Sequence, residues 1–202
     1  MRHVTLTRRR ALALAAAAVG TAALPAYAAI GVDGARAFVA ETVDELFAIV
    51  RSDQPVDTQR QEFRGLLERR TAIDAIARTC LGVAWRSADD GQKQAYLDAF
   101  KTYVAQKYGG RFDEFRNAKL EITNARDFGD RGVIVESRGT LENGQSAIVE
   151  WGVSDRSGKV LISNIVVEGL SLVTSERELV GGMLERVQGD VDRLITDLKV
   201  AS

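Results

Sequence analysis

The side chains of this chain that could do chemistry are almost all carboxylates. Of its 202 residues one is histidine, His3, and one is cysteine, Cys80. His3 precedes Arg8-Arg9-Arg10, an apolar run from Ala11 to Ala23 without an acidic residue, and Pro25 with Ala26-Tyr27-Ala28. Together these read as an export signal ending in a small-x-small cleavage site. Cleavage after Ala28 leaves 174 residues and no imidazole. The commonest general base, the commonest metal ligand and the Ser-His and Cys-His pairs go with it. Cys80 falls in an apolar-periodic segment and reads as a buried, inert thiol; being alone, it forms no intrachain disulfide even in an oxidising compartment. The adjacent acids Asp89-Asp90 and Asp113-Glu114 stand at apparent helix starts or polar turns, where a carboxylate complements the helix dipole. No catalytic residue, metal or cofactor is expected.

The apolar run is too short for a bilayer-spanning helix, which needs about 20 residues, and no later stretch is long enough. Residues 1–28 are therefore expected to be a signal peptide, possible by the twin-arginine route because Thr7-Arg8-Arg9-Arg10-Ala11-Leu12 approximates that pattern. Residues 29–202 are expected to form one domain in the periplasm. That part carries 23 basic and 28 acidic residues, a net charge of −5. Nucleic-acid binding would want clustered Lys and Arg on a basic chain, and adhesion to anionic lipid would want a polybasic patch. Neither is present.

The positioning elements follow from periodicity. From Phe38, the residues Val39, Val43, Leu46, Phe47 and Val50 make an amphipathic stripe that Ser52 to Thr58 closes. Phe63, Leu66 and Leu67 mark a second helix, and Ile73 to Ala84 a third beginning near Thr71. A fourth is predicted from a capping box at Ser87 and Asp90 to the stop at Gly109-Gly110. After Asn117 the period becomes 2, predicting strands over 119–127, 132–141, 146–154 and 159–168, with Asn143-Gly144 as a hairpin signal. Ser175 with Glu178 predicts the cap of a last helix, interrupted at Gly181-Gly182 and Gly189. The class is α+β, with helices covering the apolar face of a four-stranded antiparallel sheet. Pattern alone reads a filled core and a ligand cavity alike.

Two stretches carry a resemblance. The first is Ile73-Asp74-x-Ile76-Ala77-Arg78-x-x-Leu81-Gly82-x-x-Trp85-Arg86, continuing through Gln92, Phe100, Tyr103 and Tyr108. The second is Val166-Val167-Glu168-Gly169-Leu170-Ser171-Leu172-Val173, then Arg177 and Gly189-x-Val191-x-x-Leu194-Ile195-x-x-Leu198. In order and spacing they resemble the MlaC family of periplasmic phospholipid-binding shuttles, also called toluene-tolerance auxiliary proteins, over residues 36–199. The chain departs from that pattern at Val160 to Asn164, where relatives carry a Trp-Lys-Val-Tyr-Asp-like run. It also departs at Glu176, where they have Tyr, and at Val180, where they have Phe.

The resemblance implies a helical layer on a curved sheet with a closing C-terminal helix, enclosing the acyl chains of a phospholipid cargo. It implies exchange with an inner-membrane ABC-type lipid-transport complex and an outer-membrane lipoprotein–porin complex. A carrier that docks on the two alternately is expected to be a monomer, and the acidic charge leaves nucleic acid out as a partner. Two tails of roughly 16 carbons expose about 30 methylenes, on the order of 24 kcal/mol at about 0.8 kcal/mol each. The expected tail-binding wall is Leu81, Trp85, Phe100, Tyr103 and Val104 from the helices with Val133, Val135, Val149, Trp151, Val153, Ile165 and Val167 from the sheet. Arg86, Arg138 and Arg177 are the head-group candidates, since guanidinium grips phosphate bidentately. The competing readings are a carrier of a hopanoid-type lipid, a cavity enzyme using Glu150 or Asp155 with Tyr103, and a structural adaptor without a cavity.

Overall fold

The computed structural model describes residues 30–201; the expected signal peptide lies outside the described residues. Helix α1 (Val32–Val50) begins six residues before its stripe becomes visible in the sequence. Ala35, Val39 and Val43, at four-residue spacing, bury one face from its first turns onward. Helix α2 (Val56–Arg70) starts after Pro55, and α3 (Ile73–Leu81) ends at Gly82, whose φ of 64° no ordinary side chain adopts readily. That break separates Ala84 from α3 and places it in the single turn of α4 (Ala84–Ser87). The next helix, α5 (Asp90–Gly109), is capped two residues later than expected. Asp89 accepts from the Gln92 backbone N–H at 2.8 Å and the Gln92 side chain accepts from the Asp89 N–H at 3.2 Å, while Ser87 Oγ donates to Ala84 within α4. A short α6 (Phe112–Phe115) follows.

The sheet consists of β1 (Lys119–Asp127), β2 (Val133–Thr140), β3 (Ser146–Ser154), β4 (Leu161–Val167) and β5 (Leu170–Ser171), antiparallel throughout in the order β1-β2-β3-β4-β5. The strand expectations agree closely for the first four. The fifth is a correction: two residues are too few to show alternation, and β5 exists because Glu168 (φ 49°) and Gly169 (φ 79°) turn the chain back onto β4. Irregularities between Ile122 and Asn124 in β1, and opposite Gly152 and Val153 in β4, bend the sheet around the helices.

The C-terminal end is two helices rather than one, α7 (Leu172–Arg186) and α8 (Val191–Val200). Ser171, not Ser175, caps α7 by accepting from Thr174 N–H at 3.2 Å; Ser175 donates to the Ser171 carbonyl one turn inside. Gly181-Gly182 stay helical, at about 1 kcal/mol each relative to alanine. The chain breaks at the other expected position, where Gln188 and Gly189 both take positive φ before Asp190 caps α8.

Three apolar clusters result. One joins α3, α5, α7 and α8 around Tyr96, Phe100, Leu194 and Leu198. The second lies under the first half of α1, where Ala35, Val39 and Val43 meet Val133, Val135, Val153 and Ile162. The third, around Phe63, Leu66 and Phe112, joins α1, α2, α5 and α6. The sheet's other face is polar, with Arg126 paired to Glu150 at 3.0 Å and Thr123 donating to Glu136 at 2.9 Å.

Candidate functional site: an apolar cavity under the helices

On the helix-facing side of the sheet, register puts residues into rows: Val133, Val153 and Ile162; Val135, Trp151 and Ile165; Ser137, Val149 and Val167; Gly139 and Ala147. Side chains shrink toward the last row, at the β2–β3 hairpin. The first half of α1 lies against the large rows, whereas Leu46, Phe47 and Val50 of its second half line open space that the small rows also face. The cavity has a volume of about 690 Å³ and is walled by α1, α2, α3, α5, α6, the start of α7, β4 and the hairpin end of the sheet.

Trp151 marks the boundary. Only 6% exposed, it donates its indole Nε1–H at 2.9 Å to Ser137 Oγ, a fully buried hydroxyl that in turn donates to the Val149 carbonyl at 3.3 Å. The ring is thereby fixed with its indole N–H satisfied and its apolar surface lining the cavity. Phe63 and Phe112 meet edge to face across the opposite wall, with ring centroids 5.3 Å apart.

The lining residues that are exposed to solvent are Arg111, Phe115, Lys119, Gln145 and Ser146. All lie where α6, the first residue of β1 and the β2–β3 hairpin converge, which makes this the mouth. Two cations stand there. Arg111 is held by Glu114 through bonds of 3.1 and 2.7 Å, and Lys119 has no ion pair among the described residues. Arg70 also reaches the wall, but Glu45 and Glu41 occupy its guanidinium, which holds the Glu45 carboxyl below its usual range.

One buried charge interrupts the apolar lining. Glu176, 4% exposed on the second turn of α7, accepts from Lys107 Nζ (2.5 Å) and Tyr108 Oη (2.6 Å) on Oε1 and from Tyr103 Oη (3.0 Å) on Oε2. Burial, reinforced by the nearby carboxylate, pushes both phenols well above the ordinary tyrosine range, so they remain donors.

Of the residues named from the sequence, Phe100, Val104, Val149, Trp151, Ile165 and Val167 line this cavity. Leu81 and Tyr103 are buried in the cluster of α3, α5, α7 and α8, with Trp85 packed against it, and Val133, Val135 and Val153 are buried under α1. Arg86, Arg138 and Arg177 are exposed and outside the lining; Arg138 belongs to the polar face of the sheet. Glu150, Asp155 and Tyr103 are not brought together: Glu150 pairs with Arg126 on the polar face, Asp155 accepts from the Ile30 N–H, and Tyr103 faces Glu176. Arg111, Lys119 and Glu176 were missed, as were Leu46 and Phe47. Phe112-x-x-Phe115 directly after Gly109-Gly110, with Arg111 beside it, was the available signal for the mouth. Cys80 is buried, its thiol pushed up to about 12 by burial. Among the described residues no helix is long and apolar enough to cross a membrane, and no His/Cys/Asp/Glu group is placed to hold a metal.

A family model described as "MlaC protein" matches residues 40–200. The chain belongs to the MlaC family. The intermembrane phospholipid transport system binding protein MlaC of Haemophilus influenzae is 22% identical over 168 residues, covering 79% of this chain and 78% of that protein. The toluene tolerance protein ttg2D of Pseudomonas putida is 24% identical over 123 residues, 60% of this chain; the match spans 57% of that relative. Among solved structures, the phospholipid-binding protein of Ralstonia solanacearum, determined in complex with a phospholipid, superposes with a TM-score of 0.67 at 22% identity. It covers 81% of this chain and 94% of that one, and shows the same fold. The resemblance read from the sequence and its α+β architecture thus hold, with the MlaC-type sheet carrying five strands.

Proposed function

We propose that this chain is a soluble periplasmic carrier that holds the acyl chains of a phospholipid in the cavity and ferries it between membranes. The observation that carries this reading is the apolar hollow at the hairpin end of the sheet, open at its mouth. At roughly 30 Å³ per methylene-sized group, 690 Å³ accommodates about 23 of them. That shelters most of the roughly 30 methylenes of a two-tailed lipid, a stabilisation on the order of 18 kcal/mol. The phospholipids named for the Haemophilus and Ralstonia proteins support the cargo class.

The tails lie between Trp151, Val149 and Val167 of the sheet and Leu46, Phe63 and Val104 of the helices. The phosphate sits at the mouth, where Lys119 and the Arg111 guanidinium supply its countercharge. Such a carrier performs no bond-making step and needs no cofactor. Its net charge of −5 after loss of the signal peptide disfavours collision with anionic bilayers, so the lipid passes through docking on an inner-membrane ABC-type complex and an outer-membrane lipoprotein–porin complex, with the carrier acting as a monomer. Ile162 and Asn164, from the run that departs from relatives, stand in the wall and tune which lipid body fits. Native mass spectrometry of protein purified from the periplasm tests this. One lipid-sized adduct per monomer is expected, its mass separating a diacyl phospholipid from a polycyclic lipid; protein that is uniformly ligand-free and takes up no lipid from vesicles would refute it.

A further inference from the structure

The wall of the cavity contains one acceptor with capacity to spare. Tyr103 and Tyr108 direct their protons to Glu176, and Lys107, which does not line the cavity, donates both to Glu176 and to Tyr103 Oη at 3.2 Å, so no donor of this cluster is left in the cavity wall. Oε1 takes two of these bonds but Oε2 only one, and an ionised carboxylate has about four lone-pair sites. Tyr108, which also lines the cavity, donates through Oη and accepts from no donor among the described residues. The unspent capacity therefore belongs to acceptors. On the cavity side such a cluster offers no donor to a phosphate or an ester carbonyl; it satisfies a hydroxyl. Its depth agrees. The Arg111 N–H donates to the Tyr108 carbonyl at 3.1 Å, which ties Tyr108 to the turn that carries Arg111 at the mouth. A group meeting Glu176 thus sits just inside a phosphate held by Arg111 and Lys119, at the junction of head group and tail.

We propose that Glu176 is an acceptor subsite for a free hydroxyl at the head-group–tail junction of the cargo, so that the carrier discriminates in favour of hydroxyl-bearing amphiphiles, such as monoacyl glycerophospholipids or lipids hydroxylated near the head group. This rests on the carrier reading above and names a cargo class for the same cavity. Lys107 and the two tyrosines keep the carboxylate in place between α5 and α7, and the incoming hydroxyl completes its acceptor capacity.

The test uses two ligands differing only at the hydrogen in question: an octadecyl glycerophosphocholine ether with a free secondary hydroxyl, and its O-methyl ether. Competition for the wild-type protein is read by native mass spectrometry below micellar concentrations, with dipalmitoyl phosphatidylcholine as a third ligand. The hydroxyl form is expected to bind about tenfold more tightly, as a hydrogen bond to a charged acceptor implies. Glu176→Gln, which keeps a weaker acceptor, reduces the preference to a few-fold, and Glu176→Met abolishes it. Equal wild-type affinity for the two ethers overturns the subsite, as does a tenfold preference that survives in Glu176→Met. A purely structural tie between α5 and α7 would lower the melting temperature of Glu176→Met and leave the preference intact, which also overturns it. If either variant fails to fold, the wild-type comparison decides alone. Equal ether affinities with phosphatidylcholine bound defeat only the subsite; binding of none of the three ligands defeats the carrier reading with it.

Discussion

One face of a single sheet is packed at one end and hollow at the other. Under the first half of α1, Val133, Val135, Val153 and Ile162 are 2% exposed or less and fill the space against Ala35, Val39 and Val43. Toward the hairpin, Ser137, Gly139 and Ala147 supply little volume, and Val149 and Val167 are half-buried in the cavity wall. Both ends alternate as β-strands must, so alternation does not distinguish core from cavity. The difference lies in residue volume across paired rows and in where the covering helix leaves the sheet. One end supplies stability, the other room.

The largest expected contrast comes from the same charge placed at each end. Val135→Asp buries an unpaired carboxylate among fully enclosed side chains and should cost about 4 kcal/mol or more, read as loss of the native circular-dichroism melt. Val149→Asp, facing the hollow, should cost roughly 1 kcal/mol yet remove bound lipid from the purified protein. Equal destabilisation by the two would erase the distinction drawn between the ends. A subtler inversion is Ala147→Phe, which fills the hollow row: stability should stay within about 1 kcal/mol of wild type while lipid occupancy falls several-fold. At the boundary, Trp151→Phe removes the bond to Ser137 and should cost about 1–2 kcal/mol in urea titrations, with a modest loss of lipid. The smallest effect sits far from the cavity. The Cys80 thiol is raised from 9.0 to about 12 by burial, so the unfolded chain releases that proton first as pH rises. Its contribution is complete below pH 9.0 and is lost on the way to pH 12. Cys80→Ala should therefore flatten the alkaline fall in stability, measured by denaturant titrations across that range.

Much of this architecture was legible because its signals are local. Strand limits followed from period-2 runs punctuated by Asn143-Gly144 and Ser157-Gly158, and helix stripes from 3.6-residue spacing. Caps were less legible: Asp89 and Ser171 each had a polar neighbour able to do the same work, and only the backbone path decides between them. The cavity wall was legible where a strand residue faced inward, as at Val149, Trp151 and Ile165, but the sequence does not say how far α1 stays on the sheet. Val135 and Val167 therefore looked alike. The mouth was least legible, since Arg111 and Lys119 come to line one cavity only through the path of α6 between them, and Glu176 looks like any exposed acid on a helix until Tyr103 and Tyr108 are seen across from it.

The central claim is that hydrocarbon occupies the hollow end, directly against Trp151. The chain has two tryptophans, and Trp85 is outside the lining, so Trp85→Phe leaves Trp151 as the only indole. Titration of that variant with a phosphatidylcholine brominated along its acyl chains should quench Trp151 emission saturably at one lipid per protein. Emission that is unchanged in this variant, with quenching confined to Trp151→Phe protein where Trp85 alone reports, would contradict the account.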